Sequence, residues 1–286
     1  MSDPVTPRLA ATLILARDGD AGLELFMVAR HRQIEFASGA LVFPGGSVDP
    51  NDADARLRGR VEGADTAEEA MFPVLVAAAR EAFEECGVLF ARAAPGGPLV
   101  TGERAAELGK TYRKAIEAGE IGLAEMIEKE DLVLALDRLV HFAHWVTPPH
   151  MPKRFDTHFF LAEAPLDHIL RHDGRESVDS IWITPRQVCE DAEADRRTVL
   201  FPTRLNVEKV GRSATVADAL AAARRAKVVS VRPQSEAAGE GRLLRIPEEA
   251  GYGASEFLVL GSSGKGARIL NPDGSARLIP AAVKRP

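Results

Sequence analysis

The sequence predicts an α/β protein, because segments of strand character and segments of helical character alternate along most of the chain. Two apolar stretches of strand length, residues 9–16 and 23–29, flank a turn cluster at residues 18–22 and predict a β-hairpin with a longer loop. An amphipathic helix is predicted over residues 73–86, and further strands and helices follow it. Of the 286 residues, 45% are hydrophobic and 27% charged, a composition typical of globular proteins.

The segment before this helix combines a short strand, a glycine turn and a polar stretch. The strand is predicted at residues 40–43, directly before a tight turn that Gly45 and Gly46 make possible. Residues 49–65 are polar and rich in Asp, Arg and Gly, which indicates a surface insertion rather than core. The helix is expected to begin near Pro73, because proline is tolerated only in the first turn.

The second half of the chain continues the alternation. A helical pattern covers residues 102–130, with a break near Gly119. Three further strands are predicted at residues 139–146, 155–161 and 178–184, and three further helices at residues 185–194, 203–210 and 215–226. Residues 232–241 have the composition of a linker, and strand-like pieces follow at residues 257–260 and 267–270.

Composition argues against several classes of partner. The formal net charge of −6 gives no electrostatic reason to expect a nucleic acid polymer. No apolar run approaches about 18 residues, so no membrane-spanning helix is predicted. Residues 1–8 lack the apolar core of a secretory signal, and we expect Cys86 and Cys189 to be reduced structural residues of a cytoplasmic protein.

Three acidic residues share one stripe of the predicted helix. At about 100° per residue, Glu81, Glu84 and Glu85 fall within about one third of its circumference. Carboxylates placed this close repel each other, and a divalent cation with oxygen ligands removes the repulsion. The spacing therefore indicates a metal site, with an ordinary solvated acidic face as the alternative.

Two segments resemble the signature of the Nudix hydrolases, namely Phe43-Pro44-Gly45-Gly46 and Arg80-Glu81-Ala82-Phe83-Glu84-Glu85-Cys86-Gly87. The resemblance implies an α/β/α sandwich with a mixed sheet between helices. It also implies a Nudix domain over residues 1–227, with an insertion at residues 49–70 and a helical insertion at residues 100–131. A linker and a small C-terminal extension are expected at residues 228–286.

The sequence departs from the family pattern inside the signature. A long insertion separates Gly46 from Arg80, and Phe72 stands where the family has an early glutamate. The supporting role of that glutamate is either missing or supplied by one of three nearby acids: Glu68, Glu69 or Asp49.

Other segments resemble the Nudix subgroup that hydrolyses coenzyme A and acyl-CoA, which also has a long insertion inside its motif. They are residues 142–148, 152–157 and 159–161, together with Arg30 and the segment Gly39-Ala40-Leu41-Val42-Phe43-Pro44-Gly45-Gly46. The subgroup's second arginine is Glu35 here, with Arg32 nearby.

The resemblance implies hydrolysis of a diphosphate linkage in a small nucleoside diphosphate derivative, with Mg²⁺ or Mn²⁺ as cofactor. Coenzyme A or acyl-CoA would give 3′,5′-ADP and a phosphopantetheine. Glu81, Glu84, Glu85 and the Gly46 carbonyl are the expected metal ligands, Glu81 is alternatively the base, and Arg80 orients a carboxylate. The alternatives are an ADP-ribose, dinucleotide or nucleotide-sugar pyrophosphatase, or a nucleotide-binding scaffold without activity.

Further candidates lie outside the signature. Arg30, Arg32 and Arg154 are candidates for substrate phosphate, against an ordinary salt bridge for each. The additional downstream acid expected in the family is one of Glu163, Glu176 and Asp179. His144, His150 and His158 are either bases or structural residues, and Asp156 is expected to pair with Arg154 or Lys153.

Overall fold

A mixed β-sheet with helices on both faces forms the centre of the protein. The computed structural model describes residues 5–30, 40–63, 69–168, 177–239, 241–260, 268–271 and 273–275. The strands are β1 (Arg8–Gly19), β2 (Gly22–Arg30), β3 (Leu41–Val42), β4 (Gly45–Ser47), β5 (Val61–Glu62), β6 (Ala91–Arg92), β7 (Val133–Ala135), β8 (Val140–Val146), β9 (Phe155–Glu163), β10 (Ser177–Ile183), β11 (Ser230–Val231), β12 (Gln234–Ala238), β13 (Gly241–Arg245), β14 (Glu256–Leu260) and β15 (Arg268–Leu270). The helices are α1 (Phe72–Cys86), α2 (Gly102–Glu117), α3 (Leu123–Lys129), α4 (Pro185–Glu193), α5 (Phe201–Val210) and α6 (Val216–Arg225).

The central sheet has the strand order β10-β2-β1-β9-β8-β11, with β3 paired to β2 and β4 paired to β1. Strands β1 and β9 run parallel, whereas β1–β2 and β8–β9 are antiparallel, so the sheet is mixed. Alternate residues of β1 point to opposite faces. Leu13 and Leu15 pack in the buried cluster of α1–α3, and Ile14 packs in the cluster of α4–α6. The predicted α/β/α sandwich is confirmed.

Helix α1 begins and ends where the sequence predicts. Pro73 occupies its first turn, and Gly87 ends it in the left-handed conformation at φ 72°. Its apolar residues after Pro73 are buried, and so are Arg80, Glu81 and Glu84 of the signature, because both the sheet and the insertion cover the helix. Cys86 of this helix and Cys189 of α4 are buried thiols and not halves of a disulfide.

Two local predictions were wrong. The β1–β2 hairpin pairs Gly19 with Gly22, which leaves only Asp20 and Ala21 in the turn instead of a longer loop. The insertion is also not simply on the surface. It forms two short 3₁₀ turns, Pro50–Ala53 and Ala55–Gly59, whose Asp52 and Leu57 are buried.

The predicted linker at residues 232–241 is wrong as well, because most of it forms β12 and the start of β13. These strands belong to a second, four-stranded sheet with the order β12-β13-β14-β15. Tyr252, in the connection before β14, accepts a hydrogen bond from Trp145 Nε1 at 2.8 Å and donates one to Asn206 Oδ1 at 2.7 Å. The C-terminal segment therefore packs on the central domain, and the boundary at residue 227 stays a prediction. Within the described residues, no helix is long and apolar enough to cross a membrane.

Candidate active site

The glycine loop and helix α1 meet along strand β1. Strand β4 pairs with β1 so that Gly46 lies opposite Ala11, and α1 packs over the same strand. A Cβ atom on Gly46 would lie 2.4 Å from Glu81 Oε1, and one on Gly45 would lie 2.4 Å from the carbonyl oxygen of Ala11. The amide of Gly45 donates a hydrogen bond to Glu85 Oε2 at 3.0 Å. Both glycines are therefore required for the close approach of loop, strand and acidic helix.

Arg80 connects the loop, the insertion and the helix through its guanidinium group. Its Nε and Nη2 donate to the two carboxylate oxygens of Asp52 at 2.8 and 3.0 Å. Its Nη1 donates to Glu81 Oε1 at 2.8 Å and to Glu84 Oε2 at 3.1 Å. Nη2 also reaches the carbonyl oxygen of Ser47 at 2.9 Å. Such a fork of donors fixes the relative positions of three carboxylates.

These four side chains carry an excess of buried negative charge. Asp52 is 1% exposed and Glu81 8% exposed. Burial raises the pKa of Glu81 to about 7, with Glu84 adding to the effect and Arg80 opposing it. Burial also raises the pKa of Glu84 and of Asp52 above their usual values. When ionised, three carboxylates against one guanidinium leave two negative charges in a poorly solvated site.

That charge fits a divalent cation. Arg80 engages Glu81 Oε1 and Glu84 Oε2, so its contacts leave the second oxygen of each carboxylate for another ligand. Oxygen ligands are those that Mg²⁺ and Mn²⁺ prefer. The donor set of this site therefore suits such an ion.

Comparison with known proteins agrees with this geometry. The family model described as NUDT19 Nudix domain matches residues 58–207, which is more than half of the chain and includes all of α1. The chain belongs to the Nudix hydrolase family. A crystal structure of a Nudix hydrolase from Alicyclobacillus acidocaldarius aligns with a TM-score of 0.63 and 26% identity, covering 76% of this chain and 96% of that chain.

A curated relative from Caenorhabditis elegans, nudix hydrolase 7, is 26% identical over 193 residues. The alignment covers 66% of this chain and 55% of the relative, so the chain spans about half the length of that protein.

In this Nudix chain, the partner of Arg80 is a residue that sequence reasoning missed. Of the three acids considered, Asp49 caps the first 3₁₀ turn by accepting from the amide of Asn51 at 2.8 Å. Glu69 forms an exposed ion pair with Arg58, and Glu68 lies outside the described residues. Asp52 takes the role instead.

A sequence signal for Asp52 did exist. The pattern is that of a capping box, in which Asp49 is the N-cap, a proline follows it, and a second acid stands three positions later. The structure forms this box: the amide of Asp49 donates to Asp52 Oδ2 at 2.7 Å. The box turns the Asp52 carboxylate inward, where it receives Arg80.

The structure places some of the other candidate residues for substrate binding and for the additional acid, and leaves others outside the described residues. Arg154 is buried and donates to the backbone carbonyls of Thr147 and Val5, contacts that support the fold rather than the predicted role in phosphate binding. Three candidates cannot be placed, because Arg32 and Glu176 lie outside the described residues and the side chain of Arg30 is not described.

The two remaining acids differ in their position along the sheet. Glu163 pairs with Ala16, four residues along β1 from Thr12, the partner of Gly45. It therefore lies about 13 Å along the sheet from the glycine loop. Asp179 lies opposite Ala29 at the loop end of the sheet, where β2 also pairs with β3. Of these two, Asp179 is the better placed as an additional acid.

Proposed function

We propose that this chain hydrolyses a diphosphate linkage in a nucleoside diphosphate derivative, using Mg²⁺ or Mn²⁺. The observation that carries the proposal is the buried group of Asp52, Glu81 and Glu84 around Arg80, seated on the glycine loop. A buried excess of negative charge destabilises a fold, so its presence beside a glycine turn is better explained by a cation than by packing.

Each residue of the site has a role in this reaction. Glu84, Glu85 and Glu81 would hold the ion, which neutralises phosphate charge and makes water more acidic when bound. Arg80 keeps one oxygen of Glu81 and one of Glu84 in place. Because its pKa is about 7, Glu81 is alternatively suited to take a proton from the attacking water near neutral pH. Gly46 permits the close approach on which this arrangement depends.

Coenzyme A and acyl-CoA are the proposed substrates, with 3′,5′-ADP and a phosphopantetheine as products. Support comes from the resemblance of residues 142–148, 152–157 and 159–161 to that subgroup, and from the insertion before α1. The insertion also weakens the alternative of a scaffold without activity. Phe72 stands where the family has an acid, but Asp52 of the insertion supplies a carboxylate that binds Arg80.

A substrate panel tests the proposal. Purified protein is incubated with coenzyme A, acetyl-CoA, ADP-ribose and NADH, with and without Mg²⁺ or Mn²⁺, and phosphorylated products are separated by chromatography. We expect metal-dependent release of 3′,5′-ADP from the two coenzyme A substrates. Preferential cleavage of ADP-ribose or NADH would overturn the proposed substrate but support hydrolysis of a diphosphate linkage. No cleavage of any of the four compounds would overturn the enzymatic proposal.

A pair of matched variants separates the site from the fold. Glu84→Gln removes a proposed ligand, and we expect turnover to fall at least about a hundredfold with an unchanged circular dichroism spectrum. Glu103→Gln makes the same substitution at an exposed position of α2 and should leave turnover unchanged. Equal turnover of the two variants would contradict the ligand role of Glu84.

A further inference from the structure

A second group of ionisable residues lies on β8 and β9, outside the signature. We define the histidine cluster as His141, His144, Asp156 and His158, with Ser230 of β11 beside it. Asp156, for which the sequence predicts a pairing with Arg154 or Lys153, contacts His144 Nε2 through Oδ1. Neither the fold nor the diphosphate chemistry explains why the imidazoles of His144 and His158 meet at the carboxylate of Asp156.

The histidine cluster faces the same side of the sheet as helix α1. Along β9, Phe160 and Ala162 pack in the cluster of α1–α3, and Asp156 and His158 have the same alternation. Ala11 of β1 pairs with His158 on one side and with Gly46 on the other. At about 4.8 Å between strands, the Cα atoms of His158 and Gly46 are about 10 Å apart. The histidine cluster thus borders the site formed by Asp52, Glu81 and Glu84 around Arg80, which we call the glutamate site.

Three atoms of the histidine cluster converge as metal ligands do. His158 Nε2 lies 4.0 Å from the Asp156 Oδ1 that His144 Nε2 contacts. One ligand atom from each of these three residues lies within 4.8 Å of the others. The ring centroids of His144 and His158 are 4.0 Å apart, with 9° between the ring planes. This stacking holds the two rings parallel to each other.

The second nitrogen of each ring has its own partner. His144 Nδ1 lies 2.6 Å from Ser230 Oγ, and His158 Nδ1 lies 3.1 Å from His141 Nε2. Histidines that bind metals almost always engage their other nitrogen in this way, which fixes the ring orientation and the tautomer. Here the arrangement leaves both Nε2 atoms directed at Asp156.

We propose that His144, Asp156 and His158 form a binding site for a divalent transition metal ion, with Zn²⁺ as the first choice. Two imidazoles and one carboxylate suit such an ion better than Mg²⁺, which prefers oxygen ligands alone. The site is therefore distinct from the glutamate site and does not depend on the proposed hydrolysis. Three protein ligands leave a coordination position open for water or for an anionic ligand.

The burial of the three residues permits both access and ligation. Their side chains are 17%, 35% and 12% exposed for His144, Asp156 and His158, so an ion can enter from solvent.

Metal titration of the full chain tests the proposal. Chelator-treated protein is titrated with Zn²⁺, and with Co²⁺ followed by its visible absorption, in the Glu84→Gln background to weaken the glutamate site. We expect one equivalent to bind, and His158→Ala and Asp156→Asn each to weaken binding at least about tenfold. Ser230→Ala should weaken it about tenfold, and His150→Ala, at an exposed turn, should have no effect.

A second measurement covers variants that fail to fold. Nitrogen-15 spectra of the histidine rings in the otherwise unsubstituted protein distinguish a metal-bound Nε2 from a protonated one. Loss of the Nε2 proton signals of His144 and His158 on addition of Zn²⁺ would support the site. A His144 ring that stays protonated on both nitrogens in excess Zn²⁺, or equal Co²⁺ titrations of His158→Ala and its parent, would overturn it.

Discussion

Replacing Glu81 with Gln is expected to stabilise the metal-free protein and to abolish its activity. The pKa of Glu81 rises from 4.5 to about 7 on folding, mainly through burial. A carboxyl group with a raised pKa stabilises the fold below its unfolded pKa, and that stabilisation is lost as the pH rises through the folded value. At about 1.4 kcal/mol per unit, the raised pKa of Glu81 costs about 3 kcal/mol of stability at pH 8, where the folded group is ionised. At pH 5, where the group is largely ionised only in the unfolded chain, the cost is about 1 kcal/mol.

The expected gain from Glu81→Gln is therefore about 2 kcal/mol larger at pH 8 than at pH 5. This difference between two pH values is robust, because any constant cost of placing an amide against Gly46 cancels. Urea denaturation in EDTA, followed by fluorescence at both pH values, measures it. Glu103→Gln is the exposed control. If Glu81→Gln shows the same pH dependence as this control, the buried-charge interpretation of the site is refuted.

Three further substitutions test other parts of the structure. Asp52→Asn is expected to lower turnover at least about tenfold, because the two-oxygen acceptor that positions the Arg80 guanidinium is lost; steady-state kinetics measures it. Gly46→Ala places a methyl group 2.4 Å from Glu81 Oε1, so Mg²⁺ affinity and turnover should both fall while the fold is retained, as isothermal titration and circular dichroism would show. Tyr252→Phe leaves Trp145 Nε1 without its acceptor and should cost about 1–3 kcal/mol in a tryptophan-monitored denaturation, whereas an unchanged midpoint would mean that the C-terminal segment adds nothing to stability.

The parts of this fold that the sequence predicted are those set by local chemistry. The bounds of α1 followed from Pro73 and Gly87, whose backbone preferences act within a few residues. The stripe of Glu81, Glu84 and Glu85 followed from helical periodicity alone. These signals do not depend on what packs against the helix, so they can be recognised in the sequence alone.

The parts that the sequence did not predict are set by distant contacts. Asp52 lies in a polar segment for which a surface insertion is predicted. The capping box predicts its local geometry, but its burial follows from pairing with Arg80, which lies 28 positions away in the sequence. In the same way, residues 232–241 contain small and polar residues that resemble a linker. They form a strand because β13 supplies hydrogen bonds to β12 across the register Gln234↔Arg245. The composition of a segment indicates its local conformational preference, but it does not identify the strand with which the segment will pair.

The choice of arginine at position 80 follows from the same geometry. One guanidinium serves Ser47, Asp52, Glu81 and Glu84 with donors on three nitrogens. A lysine ammonium has a single nitrogen, so it cannot donate to all four of these residues at the same time, as the planar guanidinium does. Because Arg80 neutralises only one of the three carboxylates, it orders the site without removing its attraction for a cation. The residue that holds the acids together therefore leaves enough charge for the metal that the proposed chemistry requires.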